Sequence, residues 1–295
     1  MRAVRQVLLI ANPTSGGGKV PRLLPSVRAR LDALGVEHRT ELTRDLAHAR
    51  ELTAQALELG EIPVSFSGDG VAGAVAGAAH GHPGAVIGVL PGGSGNDFCR
   101  HIGIPGDALD ACAVIADGEP RAIDLGEANG ALFLGIASLG FDSEANAAAN
   151  AAPRVLGRGI YVYGALSAIA RWRPASFVVR AGDHVERFDG WSVICANTSV
   201  YGAGMFVAPQ ARVDDGLLDI VLIRKTGRLR FLASFPKVFK GEHISEENVT
   251  VRRAREVEVT ASRPFTVFAD GDPVAELPVV IRAVPDAVRV LLPAA

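Results

Sequence analysis

Three glycine-rich segments, Asn12 to Lys19, Ser67 to Gly73 and Pro91 to Asp97, each follow a short apolar run. Glycines placed there let backbone N–H groups approach a phosphate closely, and a helix starting just beyond adds its first amides and its dipole. A glycine after a strand is also an ordinary turn residue, so one such loop decides little; three together favour a ligand site. Two acidic turns add a second kind of chemistry. Asp214-Asp215-Gly216-Leu217-Leu218-Asp219 packs three carboxylates around a turn, where Asp oxygens and backbone carbonyls could hold a hard cation. Asp270-Gly271-Asp272-Pro273 follows the apolar run Phe265 to Phe268, and a carboxylate fixed there could accept a hydroxyl proton as a general base. Asp-Gly also favours plain turns, which is the competing reading of both.

Two better-known phosphate motifs fit poorly. Gly16-Gly17-Gly18-Lys19 resembles the end of a Walker A loop, but Val20 stands where a magnesium-binding Ser or Thr is needed and Pro13 replaces the first glycine. Gly68-Asp69-Gly70-Val71-Ala72-Gly73 satisfies G-x-G-x-x-G, yet no acidic residue lies about 20 positions on to grip a ribose. Asp69 would moreover repel a pyrophosphate unless a cation lay between them, which points to a nucleoside triphosphate with Mg2+ rather than to NAD. The seven histidines are scattered, and neither a Ser-His-Asp nor a Cys-His arrangement can be picked out.

The elements that must position these loops alternate. Gln6 to Ala11, Ile62 to Phe66 and Ala85 to Leu90 read as buried strands; Pro21 to Leu34, Leu46 to Leu59 and Val71 to Ala79 read as helices. Such alternation implies a parallel sheet flanked by helices, with all three glycine loops at its carboxyl edge, where open α/β sheets bind ligands. Beyond Asp124 the texture turns to short β-rich runs, among them Ala131 to Ala137, Phe177 to Arg180, Ser192 to Ala196, Leu218 to Ile223, Val257 to Thr260 and Val279 to Arg282. Helices are expected at Pro153 to Trp172 and Arg228 to Phe239. The boundary therefore falls near residue 124, giving a nucleotide-binding α/β domain over 1–124 and a β-rich domain over 125–295 whose last residues can return to the first.

Composition bounds the function. With 48% hydrophobic and 21% charged residues over 295 positions, the chain is that of a globular protein with ample core. A net charge of −2 offers no global field for nucleic acid. No apolar stretch approaches the ~20 residues of a membrane span, and no secretory signal opens the chain. The three cysteines, odd in number and far apart, argue against a disulfide framework and suit a reducing cytoplasm.

Taken in order, Asn12-Pro13-x-Ser15-Gly16, Ser67-Gly68-Asp69-Gly70, Leu90-Pro91-x-Gly93-Ser94-Gly95-Asn96-Asp97-Phe98, Asp215-Gly216-Leu217-Leu218-Asp219 and Asp270-Gly271-Asp272-Pro273 resemble the diacylglycerol kinase catalytic-domain family, which includes bacterial soluble lipid kinases and the sphingosine and ceramide kinases. The resemblance covers nearly the whole chain. It implies an N-terminal α/β domain like those of NAD kinase and phosphofructokinase, a C-terminal β-sandwich domain, and ATP in the cleft between them. It further implies that Asn12, Thr43, Gly68, Asp69, Gly70, Val71, Gly93, Ser94 and Asn96 surround the nucleotide, and that Asp215 with the carbonyls of Arg212 and Leu217 holds a structural Mg2+. Asp272 stands where the family has a glutamate proposed as proton acceptor, with Asp270 beside it. The sequence departs from the family at Ser67, Val71, Gly73 and Ala74, and Asp272 has a shorter reach than glutamate.

The activity so implied is transfer of a phosphoryl group from ATP to a lipid hydroxyl, by positioning and charge neutralisation more than by covalent work. Asp69 would orient Mg2+, and Asp272 or Asp270 would take the proton. The rivals are a kinase of the same superfamily acting on a soluble acceptor such as NAD, and a nucleotide-binding regulator without catalysis. The stretch Arg228 to Lys240 mixes basic and aromatic residues and suits either a membrane surface or packing on the β-rich domain, with Pro236 interrupting it. The expected place is the cytoplasm, peripheral to a membrane; the oligomeric state stays open, a homodimer included.

Overall fold

The computed structural model describes residues 5–151, 164, 167–169, 172–202 and 204–294. They form two compact units, one of Met1–Asp124 with Asp286–Ala295 and one of Leu125–Pro285.

In the first unit β1 (Gln6–Ala11) lies between β2 (Glu37–Leu42) and β3 (Ile62–Ser67), and β3 pairs with β4 (Val86–Pro91), all in parallel. Val7 to Ala11 are 0–1% exposed, because helices cover both faces of a parallel sheet and a continuous apolar run is what that position requires. The helices are α1 (Lys19–Ala33), α2 (Leu46–Glu58), α3 (Asp69–Ala79), the short α4 (Asp97–His101) and α5 (Ala108–Asp117). Val20, Val27 and Leu31 form the buried stripe of α1, and Asp45 caps α2 by accepting the His48 N–H at 2.8 Å.

The strand Glu37–Leu42 does not appear in the sequence reading. It pairs with β1 alone, none of its residues is buried, and its polar composition hides the period-2 signal that a half-buried strand would carry.

The second unit is mixed in element type but its sheet is antiparallel. The long β9 (His184–Ala196) pairs along its first part with β8 (Ala175–Ala181), and along its last part lies between β7 (Ile136–Gly140) and β10 (Leu218–Arg224). β11 (Val249–Ala254) extends β10, β12 (Glu256–Ala261) joins β8 to β15 (Val279–Leu292), and β13 (Thr266–Ala269) links β7 to β14 (Asp272–Glu276). Val193 and Cys195 point into a core with Trp172, Trp191 and Phe177, while Ile194 and Ala196, one residue out of phase, enter a second core with Val207 and Val221. Both faces of the strand are thus covered, which is why Ser192 to Ala196 reads as an unbroken buried run. At the start of the unit β5 (Glu119–Ala128) pairs with β6 (Ala131–Phe133). α6 (Phe141–Asn150) follows β7 directly, and α7 (Arg228–Val238) follows β10. The helix expected over Pro153 to Trp172 lies largely outside the described residues. Pro236 does not interrupt α7, which runs on to Val238 without the bond that an N–H at position 236 would give the Leu232 carbonyl.

Candidate active site

The three glycine loops of the first unit meet backbone to backbone. A Cβ on Gly93 would lie 2.5 Å from the Cα of Gly68, one on Gly16 would lie 2.6 Å from the carbonyl oxygen of Gly92, and one on Gly92 would lie 3.1 Å from the Ser67 nitrogen. Only glycine allows this approach. Gly16, Gly17 and Gly18 all have positive φ, so the first loop curls back over the sheet edge before α1 begins. Neither α1 nor α3 carries a side-chain cap, their N-cap positions being Gly18 and Gly68. Two helix N-termini therefore present uncapped first-turn amides at one sheet edge, an anion-binding arrangement.

Asp69 has a use that its position between two glycines did not suggest. Its Oδ2 accepts the Asp97 N–H at 3.1 Å and its Oδ1 the Phe98 N–H at 3.0 Å, so it caps α4 from the first residue of α3 and ties the second loop to the third. Each oxygen keeps further acceptor capacity. Asn96, at φ 54, clamps Gly93 from both sides, accepting its N–H at 2.8 Å and donating to its carbonyl at 3.0 Å; the side chain shapes the loop rather than facing outward. Asn12 Oδ1 accepts the backbone and hydroxyl donors of Thr14, each at 3.0 Å, leaving its amide nitrogen without a partner among the described residues. Thr43 is buried, and its hydroxyl donates to the Asp45 carbonyl at 2.7 Å. The Val71 side chain is buried, so this residue can offer a phosphate only its amide; Gly70 lies in the same first turn, and Ser94 is exposed on the third loop.

In the second unit Asp270 and Asp272 have different surroundings. Asp270 and Gly271, at φ 51 and 93, form the tight turn between β13 and β14. The Asp270 carboxylate accepts the N–H groups of Leu134 at 2.7 Å, Gly135 at 2.9 Å and Ile136 at 3.1 Å. With its oxygens committed to three amides, Asp270 anchors the turn to the chain before β7. Asp272, the first residue of β14, is exposed.

The Asp215 turn was expected to hold a metal. Asp215 Oδ1 accepts the Leu217 N–H at 3.1 Å, and its other oxygen pairs with the Arg253 guanidinium, which also reaches Asp219 at 3.4 Å. Arg212 pairs with Asp214 at 3.1 Å. Burial pushes the Asp219 carboxyl above its ordinary range, against the opposing pull of Arg253. Two guanidinium groups thus already sit against the three carboxylates of the turn. Arg253 therefore competes with a cation for Asp215, the one carboxylate in the expected set with the Arg212 and Leu217 carbonyls.

One acidic residue escaped the sequence reading altogether. Asp142, in the first turn of α6, faces an apolar cavity of about 80 Å³ lined by Phe141, Ile194, Met205, Phe231 and Phe235, with His243 also on its wall. Loss of water pushes its carboxyl up to about 7, against hydrogen bonds from Ser192 and Tyr201. The only signal was that this carboxylate ends the apolar stretch Gly130 to Phe141.

Comparison with known proteins places both units. Residues 6–128 match the model of the diacylglycerol kinase catalytic domain, and residues 135–292 match the YegS C-terminal NAD kinase beta sandwich-like domain. The chain is 36% identical over 300 aligned residues to a Mycobacterium tuberculosis protein named diacylglycerol kinase, covering 98% of this chain and 96% of that one. It is 32% identical to a probable lipid kinase YegS-like of Pseudomonas aeruginosa, covering 98% and 95%. Among solved structures, a putative diacylglycerol kinase from Bacillus anthracis superposes with a TM-score of 0.83 at 22% identity, covering 98% and 97% of the two chains, a likeness of fold. With an α/β unit matched to the catalytic domain, a β-rich unit matched to the YegS C-terminal domain and relatives aligned end to end, the chain belongs to the diacylglycerol kinase family.

Proposed function

We propose that the chain transfers the γ-phosphoryl group of MgATP to the hydroxyl of a lipid, with diacylglycerol as the acceptor. The observation that carries this reading is the backbone contact of Gly16, Gly68, Gly92 and Gly93 in front of the uncapped first turns of α1 and α3. There the amides of Asp69, Gly70, Val71 and Gly93, the Ser94 hydroxyl and the Asn12 amide steady the phosphate oxygens. Asp69, while holding α4, keeps acceptor capacity with which it would hold, directly or through water, an Mg2+ arriving with the nucleotide, whose charge would neutralise the phosphates. Asp272 accepts the hydroxyl proton as the acceptor oxygen bonds to the γ-phosphorus and the bond to ADP breaks. Asp270 keeps that turn in shape.

A lipid acceptor is favoured over NAD by the cavity in the second unit, whose lining is aromatic and aliphatic apart from a few polar groups. Labelled-ATP reactions against diacylglycerol, a sphingoid base, ceramide, phosphatidylglycerol and NAD, resolved by thin-layer chromatography, test the reading. Label in phosphatidic acid is the expected result; label in NAD alone, or in no product, overturns it.

A further inference from the structure

Among the described residues that line the apolar cavity of the second unit, Asp142 is the one carboxylic acid. It stands in the first turn of α6, and the walls around it come from β9, β11 and α7 through Ile194, Val249, Phe231 and Val238. The residue is half-buried, and its Oδ2 is buried with no hydrogen-bond partner among the described residues. A carboxylate so placed is costly in its charged form and tolerable in its neutral one.

No cation offsets that cost. The other titratable groups on the cavity are His243 and Tyr201, and no Lys, Arg or Glu lines it among the described residues. The His243 ring donates from Nε2 to the Val207 carbonyl at 3.1 Å, and burial pushes its pKa down against the pull of Glu246, so it is neutral at pH 7 and above. The charges on neighbouring elements have other partners. On α6 itself Glu144 pairs with Arg263 at 3.1 Å. On α7 Arg230 pairs with Glu246 at 3.6 Å, Lys237 with the same Glu246 at 2.5 Å, and Arg228 donates to the Trp172 carbonyl at 2.9 Å. On β10 Arg224 pairs with Glu186 at 3.2 Å. Only hydrogen bonds from Ser192 and Tyr201 favour the ionised Asp142, which releases its proton at about 7 in the empty protein.

An acyl chain that fills the cavity removes the water still reaching this half-buried carboxyl. The ionised form then loses its remaining solvation, whereas the neutral form loses little. We infer that the cavity admits an apolar acceptor only over a neutral Asp142, so that seating the acceptor transfers one proton from solvent to this carboxylate whenever the empty enzyme holds it ionised. Acceptor affinity is then level in mild acid and falls above about pH 7 by about tenfold per pH unit, the linkage expected for uptake of one proton. Asp142 thus makes acceptor binding answer to pH without touching the reacting atoms. This use of the cavity rests on the proposed lipid kinase function.

Tryptophan emission supplies a readout that needs no turnover. Trp172 and Trp191 are the chain's only tryptophans, and the Trp191 ring stacks 4.0 Å from that of Phe231 on the cavity wall. The full chain is titrated with dihexanoylglycerol, without ATP, from pH 6 to 8.5. The dissociation constant should be level near pH 6 and rise about tenfold or more between pH 7 and 8.5. Asp142→Asn, which has no proton to exchange, should bind with no such rise. Ser192→Ala removes a bond that favours the ionised form and should move the rise to higher pH. Circular-dichroism melting checks that both variants are folded. A level wild-type profile, an unaltered rise in folded Asp142→Asn, or no binding of dihexanoylglycerol at pH 6 overturns the inference. Should the asparagine variant not fold, an unshifted rise in Ser192→Ala overturns it instead. Transfer of label from ATP to lipid is followed separately: label in lipid with a level binding profile counts against the proton linkage alone, and a pH-dependent profile without labelled lipid counts against the kinase reading alone.

Discussion

Asp69 holds the amide of Phe98 at 3.0 Å across two loops, with the neighbouring Asp97 amide on its other oxygen at 3.1 Å. A carboxylate that fits a G-x-G pattern is thereby also the cap of a five-residue helix too short to stabilise itself. Replacing Asp69 by alanine removes two charge-assisted bonds and should cost about 1–3 kcal/mol in urea unfolding while ATP-dependent turnover is lost. Asparagine retains one acceptor oxygen and should recover part of the stability but little turnover. An alanine variant as stable as the wild type would dismiss the latch, and near-normal turnover would remove Asp69 from the mechanism.

Gly93→Ala places a methyl group 2.5 Å from the Gly68 Cα, and no flexible side chain is there to yield. The second and third loops must separate, so KM for ATP should rise at least about tenfold, because a shift near 1 Å in positioning groups costs that much or more. Gly106→Ala serves as the control: its Cβ meets nothing within 4 Å, and neither stability nor KM should suffer. Equal effects of the two changes, read by isothermal titration with an ATP analogue, would mean that loop contact does not shape the nucleotide site.

The separation of Asp270 from Asp272 predicts different failures. Asp272→Asn should depress kcat by about a hundredfold or more at unchanged ATP affinity and unchanged melting temperature. Asp270→Asn replaces one of its acceptor oxygens by a donor facing backbone amides, and should lower stability by about 1–3 kcal/mol. A fully stable Asp270 variant whose kcat alone collapses would reverse the assignment.

At the acidic turn, Arg253 occupies the carboxylates that a cation would need. The melting temperature of the wild-type protein should therefore be insensitive to millimolar Mg2+, whereas the Arg253→Ala variant should be less stable and regain stability when Mg2+ is added. A chelator-sensitive wild-type protein with an unresponsive variant would show the opposite balance.

Some of this architecture is legible in the residues and some is not, for identifiable reasons. Gln6 to Ala11 and Ile62 to Phe66 announce themselves because strands covered on both faces are apolar throughout, and the glycines after them mark where loops must pass close to one another. Glu37–Leu42 is silent because it has a strand on one side only and little to bury. The roles of Asp69 and Asp270 are set by partners 28 and 134–136 positions away, a separation that no local pattern encodes. Asp142 is harder still: one carboxylate after an apolar run looks like a helix start, and only the packing of α7 and the strand at Ile194 makes its surroundings dry.

That dryness gives stability a specific pH dependence. The Asp142 carboxyl lies at about 7 in the folded protein, above its ordinary value of 3.8. Below both values the group is protonated in either state and contributes no pH dependence. Between them the unfolded chain releases a proton that the folded protein keeps, so the unfolded state binds fewer protons and stability falls as pH rises. Above about 7 both states are ionised, and the loss reaches a plateau of at most about 4 kcal/mol at roughly 1.4 kcal/mol per unit. Asp142→Asn, neutral at every pH and close in shape, should flatten this part of the profile and leave the protein more stable than the wild type above about pH 7. Urea unfolding of both proteins across that range reads the difference directly. Parallel curves for the two would mean that Asp142 ionises normally and that the cavity beneath α7 admits water.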